Sequence, residues 1–180
     1  MTITTSSWTL SCAAATVFVI GLGAGLVAAR QTVSPSLYVA KPPADAARAI
    51  LDVARVVAED GSWENIYVGR TYLLGGMKAE GGEMLQRVAT SKKVKASDFF
   101  RIGKAYADGG DWPKARDAFE RVIALAPDDT DWMIEIGAYH NLNGDRPKAE
   151  ELFGRAFAKP TGNPYNVAKA AGSYIGVTPQ

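Results

Sequence analysis

A period of 34 residues constrains the fold of this chain more than any other feature. Its clearest unit is residues 96–129, ASDFFRIGKAYADGGDWPKARDAFERVIALAPDD. The unit divides at Gly109-Gly110 into two helical patterns. Phe99, Ile102, Gly103 and Tyr106 recur at three- and four-residue steps and share one helix face. Ala115, Phe119 and Val122 do the same in the second pattern, which Pro127 closes. Two short helices with a tight turn between them make a helical hairpin. Gly103 and Ala115 are small where a buried face would otherwise carry bulk. The expected reason is close approach of the two backbones, with Tyr106 and Phe119 filling the space around the crossing. On that reading Gly103→Ala is tolerated or slightly stabilising, and Gly103→Leu overpacks the crossing.

A shift of 34 residues reproduces the pattern. Gly103 maps to Gly137, Ile102 to Ile136, Gly110 to Gly144, Ala115 to Ala149 and Phe119 to Phe153. The opposite shift places Val68, Gly69, Tyr72, Gly76 and Leu85 in register. This period and residue pattern resemble the tetratricopeptide repeat (TPR) family. The resemblance covers units 62–95, 96–129 and 130–163. The first is the most degenerate, with Gly81 at the Ala115 position and no closing proline. The third has His140 where the others have tyrosine, and Pro160 one place early. Half-units flank the array: Ala47, Leu51 and Ala54 in register with a second helix, Ala171 and Tyr174 with a first helix. The resemblance implies an all-α solenoid, a right-handed stack of helix pairs over 44–180. Each unit leaves an apolar face that only its neighbour buries, so three units with flanking halves are about the minimum for stability.

The N-terminal quarter differs in kind. Residues 1–29 hold no Lys, Arg, Asp or Glu, and Trp8–Ala29 is a 22-residue apolar run. At ~1.5 Å per residue it spans a hydrocarbon core of ~30 Å. Residues 1–30 are therefore expected to be a membrane anchor, with a cleaved signal peptide ending at Val27-Ala28-Ala29 as the rival. Against cleavage stand the missing basic leader and the length of the run. Gly21, Gly25 and Ala29 form a small-xxx-small face suited to packing between membrane helices. Residues 31–43 carry Ser34-Pro35 and Pro42-Pro43 and read as an extended linker with a reach of ~40 Å. Pro43 suits the first turn of the helix that follows. Arg30 and Lys41 beyond the run favour a cytoplasmic domain by the positive-inside rule. Bacterial proteins that resemble this layout commonly face the periplasm, and that side is slightly favoured here.

Composition excludes several trades. With 20 basic and 19 acidic residues the chain has no basic stripe for nucleic acid. Its single cysteine, Cys12, permits no intrachain disulfide. The single histidine, His140, lacks companion His or Cys ligands for a metal, and the repeat frame turns it into the stack. The glycine pairs are not followed by Lys-Ser/Thr, so no phosphate loop is present. Asp128, Asp129 and Asp131 sit where helix N-caps belong. No catalytic, cofactor or metal residues are assigned.

What is left is a surface. In TPR proteins the first helices of successive repeats line a concave groove for peptides or partner helices. By that resemblance the groove here comprises Ile66, Tyr67, Arg70 and Leu74, then Phe100, Arg101 and Lys104, then Ile134, Glu135, Ala138 and Asn141. Tyr67, Arg70, Leu74, Phe100, Arg101, Lys104, Ile134 and Asn141 are the expected partner-binding residues. Exposed aromatics flanked by Arg and Lys have the composition of an interface hot spot. The reading is a membrane-anchored, non-catalytic adaptor or scaffold that assembles or stabilises a membrane-associated complex. The alternative is a structural subunit held in a larger assembly mainly by its transmembrane helix.

Overall fold

The computed structural model describes residues 32–179. The expected anchor, with Gly21, Gly25 and Ala29, lies outside the described residues. Among the described residues no helix is long and apolar enough to cross a membrane. Eight α-helices and no strand are found among them. They are α1 (Pro43–Val57), α2 (Ser62–Leu74), α3 (Lys78–Ala89), α4 (Ala96–Asp108), α5 (Trp112–Leu125), α6 (Thr130–Leu142), α7 (Arg146–Phe157) and α8 (Pro164–Ser173). Helices α2 with α3, α4 with α5 and α6 with α7 pack as hairpins.

The turns repeat in atomic detail. Gly76, Gly110 and Gly144 adopt φ of 82°, 75° and 85°, the left-handed region that suits glycine. In each turn the amide after that glycine reaches back five residues: Met77 to Tyr72, Asp111 to Tyr106 and Asp145 to His140, all at 2.9 Å. These bonds satisfy carbonyls that the helix end leaves open. The next helix starts on a side-chain cap where an aspartate is available. Asp111 accepts from the Lys114 amide and Asp145 from the Lys148 amide. Asp129 caps α6 in the same way, accepting from the Trp132 amide at 3.0 Å.

The core runs through the array, from Ile66 and Leu85 through Phe119 and Val122 to Leu152 and Ala170. A smaller cluster of Val68, Tyr72 and Met84 joins Leu51 and Ala54 of α1. Buried polar groups are satisfied among the described residues. Asp98 accepts from the Lys95 amide at 3.0 Å and from the Ser62 hydroxyl at 3.1 Å, tying α4 to α2. The Tyr72 hydroxyl donates to Asp52 at 2.8 Å, tying α2 to α1. Burial and that carboxylate push the Tyr72 phenol up to about 12.

Two expectations change. The stretch read as an extended linker contains a 3-10 turn, Pro35–Leu37, which touches α1, and Ala40 sits at φ 56°. Pro35 sets the first φ of that turn and Ser34 accepts from the Ser36 amide, so local chemistry overrides extension. The second change concerns Gly103. A Cβ there would meet the Phe119 ring, at 2.5 Å from Cε1 and 2.6 Å from Cδ1. The glycine makes room for an aromatic ring, and this packing argues against the expected tolerance of alanine. Gly137 repeats the arrangement, with Phe153 Cε1 at 2.7 Å. In the first unit Leu85 replaces the phenylalanine, and there the backbones themselves close up. A Cβ on Gly81 would stand 2.7 Å from the Gly69 carbonyl oxygen and 2.8 Å from the Leu73 nitrogen.

Candidate functional site: an aromatic groove along the first helices

The first helices α2 and α4 bury the face toward their own second helix and leave part of the other face open. On α2 that open face carries Trp63, Tyr67 and Arg70, and on α4 it carries Ser97, Phe100, Arg101, Lys104 and Asp108. Together with Ala54, Val57 and Ala58 near the end of α1, and Trp132 at the start of α6, they line a groove of about 990 Å³. Ile66 lies in its floor. Tyr67 is 71% exposed and Trp63 53% exposed.

The charges along the groove are arranged unequally. Arg70 bonds Asp108 on the next first helix, with Nη2 to Oδ2 at 2.7 Å. Lys104 Nζ meets Glu135 Oε1 at 3.0 Å, and Lys169 holds the other carboxylate oxygen of Glu135. Arg101 is different. Its guanidinium carbon lies 3.7 Å from the centroid of the Trp63 ring. Among the described residues it has no carboxylate within ion-pair distance. Stacking leaves the guanidinium edges, and their donors, facing outward.

Of the expected partner-binding residues, Tyr67, Arg70, Phe100, Arg101 and Lys104 come together in this groove. Leu74 is exposed on α2 beyond its lining. Ile134 is 1% exposed and does not face it. Asn141 donates to the Ser173 hydroxyl at 3.0 Å and belongs to the α6–α8 contact. Glu135 and Ala138 are buried as well. The cause is α8, which packs along α6 through Asn166 to Asp131 and Lys169 to Glu135. The C-terminal part of the expected groove is therefore occupied by the chain itself. Trp63 and Trp132 were missed by sequence reasoning. Trp63 lies four residues before Tyr67, one turn along the same face, and that spacing was the available signal.

Aromatic rings also set the spacing between α4 and α6, which approach less closely than α2 and α4. Phe100 of α4 stacks on Trp132 of α6 with centroids 6.2 Å apart, and Phe119 of α5 stacks on Tyr139 of α6 at 5.2 Å. His140 is buried edge-on to Trp112, with Nδ1 2.9 Å from Asp145 Oδ2. Burial lowers its pKa and the aspartate works in the opposite direction. No group of three or more His, Cys, Asp and Glu placed to hold a metal occurs among the described residues.

Residues 96–129, the helices α4 and α5, match the family model for the tetratricopeptide repeat. This hairpin is a tetratricopeptide repeat. The TPR hairpin is generally a protein-interaction module, not a catalytic one. Its neighbours α2–α3 and α6–α7 share its period, its turn glycines and its i-to-i−5 turn bond. No curated protein and no solved structure matches the chain.

Proposed function

We propose that the chain is a non-catalytic TPR adaptor, held at a membrane by residues 8–29, that takes a segment of a protein partner in the α2–α4 groove. The observation that carries the reading is the groove itself. Four aromatic rings, Trp63, Tyr67, Phe100 and Trp132, line about 990 Å³ of open space beside Arg101. Two of the rings, Trp63 and Tyr67, are exposed, which is unfavourable unless they are covered, and Trp, Tyr and Arg dominate interface hot spots. The partner's chemistry follows from the lining: apolar side chains against the rings, and a carboxylate for Arg101. With the domain on the periplasmic side, the adaptor would serve a complex assembled at that face of the membrane.

Recovery of proteins from detergent-solubilised membranes by the full chain tests this, compared with the Tyr67→Ala/Arg101→Glu variant. A protein retained by the parent and lost with the variant is expected. Equal recovery by both sinks the groove assignment. A Gly21→Leu/Gly25→Leu variant that loses the same protein instead would favour a subunit held by its membrane helix. Alkaline phosphatase fused after Gln180 reports the side of the membrane, because it is active only outside the cytoplasm.

A further inference from the structure

The two flanking half-units are complementary, and each has an open face. Helix α1 holds the register of a second helix. Its Ala47, Ile50, Leu51 and Ala54 correspond to Ala115, Ala118, Phe119 and Val122, and to Ala149, Leu152, Phe153 and Ala156. All eight of those residues are buried by the first helix of their own unit and by the next unit. In α1, Ala47 is exposed, Ile50 is 36% exposed, and Leu51 and Ala54 are only half-buried. The reason is local. The residues that would supply the matching first helix include 32–40, and these form the 3-10 turn around Pro35 instead.

Helix α8 holds the register of a first helix. Ala171 corresponds to Gly69, Gly103 and Gly137, and Tyr174 to Tyr72, Tyr106 and His140. The internal residues are all buried. Ala171 is exposed and Tyr174 is 48% exposed, and Val167, one turn earlier, is exposed too. Thus, among the described residues, no first helix lies on α1 and no second helix lies on the Val167 and Ala171 side of α8.

We propose that α8 of one copy packs on α1 of another, completing a tetratricopeptide hairpin between chains. Where a first helix meets phenylalanine it needs glycine, as Gly103 does. The inter-chain crossing would pair Ala171 with Leu51, the smaller partner. The first unit shows what such a pairing requires. A Cβ on Gly69 would lie 3.1 Å from Leu85 Cδ2, a contact that a few tenths of an ångström relieves. Ala47 sits at the position of Ala115 and Ala149, whose hairpins have glycine on the first helix, and of Gly81, where a Cβ would clash, so the inter-chain helices would stand further apart than α2 and α3 do. Association of this kind is heterologous, one end binding the other, so it extends into rings or filaments and does not stop at a two-fold dimer.

The internal hairpin also supplies the test. The equivalent of Ala171–Ile50 is Gly69–Met84, where a Cβ on Gly69 would lie 3.2 Å from Met84 Cβ. A disulfide needs Cβ atoms ~3.5–4.5 Å apart, so cysteines at 171 and 50 of two copies would fall within easy reach. The full chain carrying Cys12→Ser, in detergent micelles, is made as Ile50→Cys and as Ala171→Cys. Each is oxidised alone and the two are oxidised mixed, then resolved by non-reducing electrophoresis. Cross-linked dimer in the mixture, and in neither variant alone, is expected. Dimer from Ile50→Cys alone would mean α1 pairs with α1 and would overturn the proposal. No dimer in any sample overturns it too. Should Ile50→Cys fail to show a cooperative melt, Ala47→Cys with Ala171→Cys repeats the measurement, since the internal equivalents Gly81 and Gly69 lie against each other, with the same outcomes.

Discussion

Gly103→Ala sets two effects of known size against each other. Alanine in a helix interior gains roughly 0.5–1 kcal/mol over glycine through backbone entropy. The new Cβ, however, would stand 2.5 Å from Phe119 Cε1 and 2.6 Å from Cδ1, where carbon atoms rest at ~3.5–4.0 Å. The ring must retreat by about 1 Å. Phe119 has no exposed surface. Its ring is held by Tyr139 with centroids 5.2 Å apart, Phe100 at 6.0 Å and Trp112 at 6.3 Å. Retreat therefore disturbs both neighbouring helices, and overpacking of this sort costs ~1–3 kcal/mol. The cost exceeds the gain, and a net loss of about 1–2 kcal/mol is expected. For a domain of this size that lowers Tm by roughly 2–8 °C. Thermal denaturation followed by circular dichroism reads it. A second variant sharpens the test. Phe119→Leu recreates the Gly69–Leu85 pairing of the first unit, so Gly103→Ala/Phe119→Leu should be less destabilised than the sum of the single changes. A Gly103→Ala protein that melts at or above the parent temperature would refute the reasoning, because the ring would then have room the structure denies it.

Other outcomes follow from the same packing. Gly81→Ala should destabilise by ~1–3 kcal/mol, since its Cβ would strike the Gly69 carbonyl and Leu73 backbone. The adjacent Gly82→Ala meets nothing within 4 Å and should stabilise by about 0.5–1 kcal/mol; paired melts separate the two. Asp98→Ala removes the acceptor for the Lys95 amide and the Ser62 hydroxyl and should cost ~1–2 kcal/mol, measured by urea denaturation. Burial lowers the folded-state pKa of His140, so the unfolded chain takes up the proton first. The neutral imidazole therefore favours the fold above the ordinary value of ~6.5, and this contribution declines as pH falls from there toward the folded-state pKa. The stability of the parent relative to His140→Tyr should fall between pH 7 and pH 5.5; parallel pH profiles would contradict this.

Much of this protein is legible in sequence because a helical hairpin is a local object. Three- and four-residue spacing of Phe99, Ile102 and Tyr106 marks a helix face, and Gly110 marks the turn whose φ only glycine adopts cheaply. Repetition at 34 residues then states that neighbouring units bury one another. Those signals determined the hairpins, their limits and the inward-facing residues. The open surface was not determined the same way. Glu135 and Tyr67 occupy equivalent positions of first helices, yet one is buried and the other exposed. The difference is α8, which lies against α6 from more than twenty residues away in the chain. The partner of Gly103 was equally invisible. A small residue in a pattern announces that something comes close, and only the placement of helix against helix decides whether that is a backbone, as at Gly81, or the Phe119 ring. Periodicity fixes which residues turn inward because it follows from backbone geometry. Which outward faces stay open depends on contacts between distant elements, and these the tertiary structure alone decides.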